Sequence, residues 1–384
     1  MPPHENGVFK FYVAAWYRKS PYFEATKRAG VKSFDVYNHM LIPSSYGNDE
    51  ETYWALVNDV TLWDVGVERQ VEITGPDAFE FTNMLTCRDL TTCAVWQCKY
   101  APIISEEGTI INDPILLRIG ENHFWLSIAD SDTLLWAKGV AVNSGMNVQL
   151  REPDVSPVQI QGPKSKQVVA ALFGDDILDM KYYWCTERDL DGIPVVASRT
   201  GWTAELGYEV YLRDGTRGDE LWNKILAAGE PFGMKVTAPS DARQIEAGIF
   251  NYNNDISLSD TPFEVSGMER LVEEQEADYI GKDVLERQRV EGVTRKLVGA
   301  EIFGDPLPGW LEEFWPVTKD GGTVGKLTSV AWSPRLEKNI GYVWVPIELA
   351  EPGTKIDIES PIGTMAAQTA ALPFLDPKKE IPAS

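Results

Sequence analysis

Two eight-residue pieces share the pattern Val-x-Ile-x-Gly-Pro-x-[Ala/Ser]: Val71-Glu72-Ile73-Thr74-Gly75-Pro76-Asp77-Ala78, and Val158-Gln159-Ile160-Gln161-Gly162-Pro163-Lys164-Ser165, 87 residues later. In each the alternation predicts a strand and Gly-Pro a turn. The apolar spacing that follows predicts a helix, reaching Leu85 in the first copy and Phe173 in the second. A strand-turn-helix unit that recurs points to an α+β body built from two related halves. Asp77 is expected at the start of the first helix, where a carboxylate favours the unpaired N–H groups.

Around these units the chain divides further. Ser20 to Gly30 and Glu50 to Val57 read as short helices. Cys98 to Ala129 alternates like a β-meander, with turns at Glu107-Gly108 and Gly120-Glu121-Asn122. Strands are expected from Ile193 to Arg199 and at Gly207-Tyr208-Glu209-Val210-Tyr211, with helices near 219–228 and 240–247. Residues 269–278 are acidic and read as a solvated face or linker. From Val293 onward short strands between Gly/Pro turns predict a small all-β domain. The expected organisation is a discontinuous first α+β domain (1–60 and 140–268), a second α+β domain carrying the meander (61–139), a linker (269–292) and a C-terminal β-domain (293–384).

Composition narrows the function. The chain has 384 residues with 43% hydrophobic and 24% charged, enough to bury a core and unlike a disordered chain. Its 58 acidic against 35 basic residues give a net charge of −23, which disfavours nucleic acid and anionic lipid as partners. No apolar run approaches the roughly 18–20 residues a membrane helix needs, and no secretory leader is evident at the N-terminus. The four cysteines do not form a secreted disulfide framework, so a reducing cytoplasmic compartment is expected. Cys87, Cys93 and Cys98 lack paired metal-binding spacing, and no metal site is expected.

Phosphate-loop, dinucleotide, zincin and nucleophile-elbow motifs are all missing. With only His4, His39 and His123 in the chain, proton handling falls to carboxylates, tyrosines or the substrate.

Two charges interrupt apolar strands. Asp113 lies in Ile110-Ile111-Asn112-Asp113-Pro114; a buried carboxylate there needs a partner or a ligand, the bland alternative being a turn cap beside Pro114. Glu209 lies between Tyr208 and Val210, near Thr200-Gly201-Trp202; it can accept hydrogen bonds from an amino-substituted heterocycle, or simply face solvent.

At these residues the chain resembles the folate-dependent family of the glycine-cleavage T-protein, an aminomethyltransferase. The matches are Leu62-Trp63-Asp64-Val65 leading into the first repeat, Tyr100 thirteen residues before Asp113, Ser198-Arg199-Thr200-Gly201-Trp202-Thr203 with Gly207-Tyr208-Glu209, Ile245-Glu246-Ala247-Gly248, and Ser333-Pro334-Arg335-Leu336. Glu68-Arg69-Gln70-Val71, Val36-Tyr37-Asn38-His39 and Leu135-Trp136-Ala137-Lys138-Gly139 are similar to the dimethylsulfoniopropionate demethylase branch.

The resemblance implies a three-domain cloverleaf: two related α/β domains plus a C-terminal β-barrel, around a central channel for tetrahydrofolate as methyl acceptor. It assigns Glu209 to the pterin-contacting acid, Trp202 and Tyr100 to its aromatic neighbours, and Asp113 to the catalytic position. It implies demethylation of a small methyl donor, dimethylsulfoniopropionate first, giving 5-methyltetrahydrofolate without a carrier protein. A glycine-cleavage-type aminomethyltransferase working with a lipoyl carrier, an O-demethylase of a methoxy compound and a non-catalytic folate-binding protein stay open.

Some positions depart from the pattern. Thr203-Ala204-Glu205-Leu206-Gly207 stands where the demethylase branch carries Ser-Lys-Gln-Gly-Gly, and its Glu205 is similar to T-proteins. Gln244, beside Arg243, replaces an arginine usual in both groups, and Val67 replaces a cysteine. These positions are expected near the substrate cavity, which leaves another methyl donor open.

Overall fold

A computed structural model of the chain describes residues 14–307, 309 and 311–384; His4 lies outside them. One sheet has six strands, in the order Cys185–Leu190, Ile193–Ser198, Gly207–Leu212, Ser156–Gln161, Thr61–Asp64 and Lys235–Thr237. A second has five, in the order Gln149–Arg151, Gln70–Thr74, His123–Ser127, Ile115–Gly120 and Cys98–Tyr100. Strands from Arg295–Ile302 to Gly363–Ala370 close into a six-stranded barrel. The expected α+β body and C-terminal barrel are both present.

The two repeats hold corresponding places in the two sheets. Gln70–Thr74 leads to the helix Ala78–Leu85, and Ser156–Gln161 to the helix Ser165–Phe173. Gly75 and Gly162 both sit at φ +121°, and a Cβ at either would come within 2.5 Å of the Asn147 carbonyl or 2.6 Å of the Asp59 carbonyl. Close approach at a left-handed φ requires glycine in both copies. Asp77 does not cap its helix; its Oδ2 instead accepts from the Asn147 N–H at 2.6 Å.

Strand pairing shows where the chain passes between the two sheets. Thr61–Asp64 pairs with Ser156–Gln161 in the six-stranded sheet, and Gln149–Arg151 pairs with Gln70–Thr74 in the five-stranded one. The chain therefore changes sheets after Asp64 and again after Arg151, about four and about twelve residues beyond the expected 60/61 and 139/140. Pairing across such sequence distances leaves no trace in local composition.

The expected linker is docked structure. It contains the helix Lys282–Glu291, and its Glu273 accepts from Arg88 Nη2 at 2.8 Å, the Asp89 N–H at 2.7 Å and Lys99 Nζ at 3.4 Å. The expected single strand through Asp113 is broken into Ile110–Asn112 and Ile115–Gly120, because Pro114 has no N–H for a ladder.

The two sheets and the barrel each have an apolar core. A further cluster, including Ile110, Tyr252, Met268, Leu297 and Tyr342, joins them around the centre. All four cysteines are buried free thiols, and burial pushes Cys87 up to about 12 and Cys93 up to about 11. Among the described residues no helix is long and apolar enough to cross a membrane, and no three or more His, Cys, Asp or Glu side chains gather as a metal site.

Candidate active site

A cavity of about 880 Å³ opens where the two sheets meet the barrel, and Tyr100, Asp113, Trp202 and Glu209 all line it. Glu209 arrives on Gly207–Leu212, a strand buried along its whole length, opposite Gln159 on one side and Ser198 on the other. The solvent-facing alternative is thereby excluded. Glu209 Oε1 accepts from Gln159 Nε2 at 2.8 Å, while Oε2 accepts from the Thr200 hydroxyl and from Tyr211 OH at 3.2 Å. Burial raises its carboxyl above the ordinary range against the pull of these donors. With Oε2 already holding two donors, Oε1 has the free acceptor capacity for a ligand.

Glu68, not selected from the sequence as a site residue, stands beside it. Its Oε2 accepts from Ser127 Oγ at 3.1 Å and its Oε1 from the same Gln159 Nε2 at 3.5 Å. Burial and then the neighbouring Glu209 charge push its carboxyl well up. Gln159 Oε1 has no partner and is buried. Glu209, Glu68 and Gln159 together form an acceptor-rich end of the cavity.

Asp113 occupies the break before Pro114. Tyr100 faces Ile115 across the ladder, which closes the thirteen-residue gap, and its OH donates to Asp113 Oδ2 at 2.7 Å. Asp113 Oδ1 is buried with no partner. Burial pushes this carboxyl up to about 7 despite the Tyr100 hydrogen bond, so a turn-cap role does not describe it. Between the two ends the walls are aromatic: Tyr37, Tyr182, Tyr183, Trp202 and Tyr252 line the space. Tyr182 and Tyr183 pack edge to face with ring centroids 4.8 Å apart, and Tyr252 OH is tied to the Ile110 carbonyl at 2.8 Å. Acidic groups dominate the lining, Asp35, Asp49 and Asp241 adding to those named, with Arg270 and Lys379 as its basic side chains among the described residues.

The departures expected near the substrate divide. Ala204 and Val67 line the cavity, whereas Glu205, Leu206 and Gln244 do not. Glu205 Oε1 is buried against Arg243 Nε at 2.9 Å and the Arg335 guanidinium. Arg243 also reaches Glu246, whose Oε1 accepts from Tyr53 OH at 2.6 Å and Ser333 Oγ at 2.5 Å. Gln244 donates to Asp255 Oδ2 at 3.4 Å. Glu205 thus ties the N-terminal part to the barrel through Arg335 and does not line the cavity.

Two domain families match this chain: the GCVT N-terminal domain over residues 22–276 and the glycine cleavage T-protein C-terminal barrel domain over residues 295–376. The chain belongs to the glycine-cleavage T-protein family of folate-dependent one-carbon enzymes. The dimethylsulfoniopropionate demethylase of Ruegeria pomeroyi is 34% identical over 346 residues, covering 90% of this chain and 94% of that one. An aminomethyltransferase of Desulfitobacterium hafniense is 30% identical over 349 residues, covering 89% and 93%. The aminomethyltransferase T structure from Bartonella henselae superposes with a TM-score of 0.84 at 22% identity, covering 94% of this chain and 98% of that one. That likeness establishes the shared fold.

Proposed function

We propose that the chain is a tetrahydrofolate-dependent methyltransferase that demethylates a small cationic donor, with dimethylsulfoniopropionate the first candidate and 5-methyltetrahydrofolate the folate product. The acceptor-rich end fits the folate: Glu209 Oε1, Glu68 and the unpartnered Gln159 Oε1 suit the N–H-rich edge of an aminopyrimidinone ring, and the aromatic walls supply stacking area. When bound, the folate supplies a nucleophilic ring nitrogen.

The residues then have separate tasks. Acidic groups and aromatic faces attract and desolvate a sulfonium, a cation that π-surfaces hold well. The C–S bond breaks with its electron pair going to sulfur, so the leaving group is a neutral thioether and needs no proton. One proton must leave the acceptor nitrogen as the N–C bond forms, and Asp113, aligned by Tyr100, offers Oδ1 to receive it. Alignment in a closed space supplies the rest of the acceleration. The observation that carries this reading is the buried, unpartnered Oδ1 of Asp113, raised to about 7, in the same cavity as the Glu209 acceptors.

Incubation with tetrahydrofolate and a panel of S-, N- and O-methyl donors, with the folate product identified by mass, tests it. Formation of 5-methyltetrahydrofolate from a free sulfonium or ammonium donor is the expected result. Turnover only with an aminomethyl-lipoyl carrier protein would give the function to the aminomethyltransferase reading.

A further inference from the structure

In an otherwise acidic cavity, Arg270 and Lys379 come from distant parts of the chain to line the same space. Arg270 belongs to the short helical turn Glu269–Leu271, and Lys379 immediately precedes the turn Glu380–Ala383 that follows the barrel. Burial and then Arg270 pull the Lys379 ammonium below its ordinary range, against the opposing charge of Asp376. Neither forms an ion pair among the described residues. Arg270 Nε donates to the Gly267 carbonyl at 2.9 Å, which leaves the two terminal guanidinium nitrogens open. Asp376, whose charge acts on Lys379, forms no ion pair with it; its two oxygens accept from the N–H groups of Glu380 at 2.9 Å and Ile381 at 2.8 Å.

The backbone holds this arrangement in place. Lys379 adopts φ +54°, the left-handed region, with its N–H on the Asp376 carbonyl at 2.9 Å. The Leu375 N–H bonds the Glu246 carbonyl at 2.9 Å, and Arg199 Nη2 reaches the Pro382 carbonyl at 3.3 Å. Two cations on the lining of one cavity, neither of them ion-paired among the described residues, repel each other, and an anion bound between them turns repulsion into attraction.

We infer that Arg270 and Lys379 form a carboxylate-binding subsite of the cavity. This rests on the folate and cationic-donor reading above. A guanidinium takes a carboxylate in a two-pronged grip, and an ammonium adds a point charge to it. Two ligands of the proposed reaction carry such a group: the glutamate moiety of the folate, and the acid end of a zwitterionic donor. For the second, the pair would anchor the anionic end while acids and aromatic faces hold the sulfonium.

Calorimetry on the full chain separates the sources by using each ligand beside an analogue without the carboxylate: tetrahydrofolate beside tetrahydropteroate, and dimethylsulfoniopropionate beside ethyldimethylsulfonium. The wild type is expected to bind at least one carboxylate ligand about tenfold or more tighter than its analogue. Arg270→Gln combined with Lys379→Gln should remove that advantage while leaving the analogue's affinity in place, which also reports an intact cavity. Loss confined to the folate pair assigns the subsite to the glutamate moiety, and loss confined to the sulfonium pair assigns it to the donor. If tetrahydrofolate binds and the double variant changes neither comparison, the subsite is overturned while the function stands. If no folate binds to the wild type, the functional reading and the subsite fail together.

Discussion

The second residue of each repeat is polar and buried in both halves of the molecule, but the two are used differently. Glu72, in the five-stranded sheet, accepts from His123 Nε2 at 2.9 Å, Trp125 Nε1 at 3.1 Å and the Arg151 side chain. Burial alone would raise its carboxyl, yet these donors hold it below the ordinary range. Gln159, in the six-stranded sheet, has its amide nitrogen shared by two carboxylates and its oxygen unsatisfied, and it lines the cavity. One backbone unit is thus a closed scaffold where neighbouring side chains meet every polar demand. Where some demands are left unmet, it becomes a binding surface.

If that contrast holds, changes facing the cavity should cost function and changes at Glu72 should cost stability. The sharpest break is Asp113→Asn, which keeps size and loses the proton acceptor. We expect kcat/KM to fall roughly a hundredfold, about 2.7 kcal/mol of transition-state stabilisation, with folate affinity and melting temperature little changed. The anionic form of Asp113 grows as pH rises through about 7, so wild-type kcat/KM should climb roughly tenfold per pH unit below that point and level above it. The variant should lack this limb. Wild-type kinetics in the folded variant would remove Asp113 from the chemistry.

The converse change is Glu72→Ala. It leaves the buried Trp125 indole N–H without its acceptor and should cost about 2 kcal/mol in denaturant unfolding, with kcat/KM at saturating stability unchanged. A large kinetic loss without destabilisation would erase the distinction between the two repeats.

The smallest effect is expected at Glu209→Gln, which replaces an acceptor-only group by one that must also donate among Thr200, Tyr211 and Gln159. Its tetrahydrofolate dissociation constant should rise about tenfold, roughly 1.4 kcal/mol, measured by titration calorimetry. Unchanged affinity would place the folate edge on Glu68 and Gln159 alone.

The two halves were legible from the repeat because its glycines are locally required, one tight turn per copy. Asp113 and Glu209 stood out as charges in apolar strands, while Tyr100 and Trp202 came from the family likeness. Glu68 and Gln159 gave no such signal: Glu68 is part of a polar run with Arg69 and Gln70, and Gln159 looks like any outward residue of an alternating strand. They meet only through pairing across about ninety residues. The helix Lys282–Glu291 was read as linker because Leu285 is its one buried side chain, too little apolar area to form a pattern. The departures at Glu205 and Gln244 were placed near substrate because sequence adjacency to Trp202 and Ala247 says nothing about which way a side chain turns.

The joint made by Glu205, Arg243, Glu246 and Arg335 bears on how this protein could be divided. Glu205 and Glu246 are almost wholly inaccessible, and their counter-charges come partly from the barrel. A chain cut between the N-terminal part and the barrel would separate Glu205 from Arg335, leave it Arg243 alone, and uncover a joint that is buried only while the parts are docked. The cavity is therefore indivisible: it belongs to the docked assembly of all three domains, and fragments prepared separately would have to reassemble before any of them carried a site.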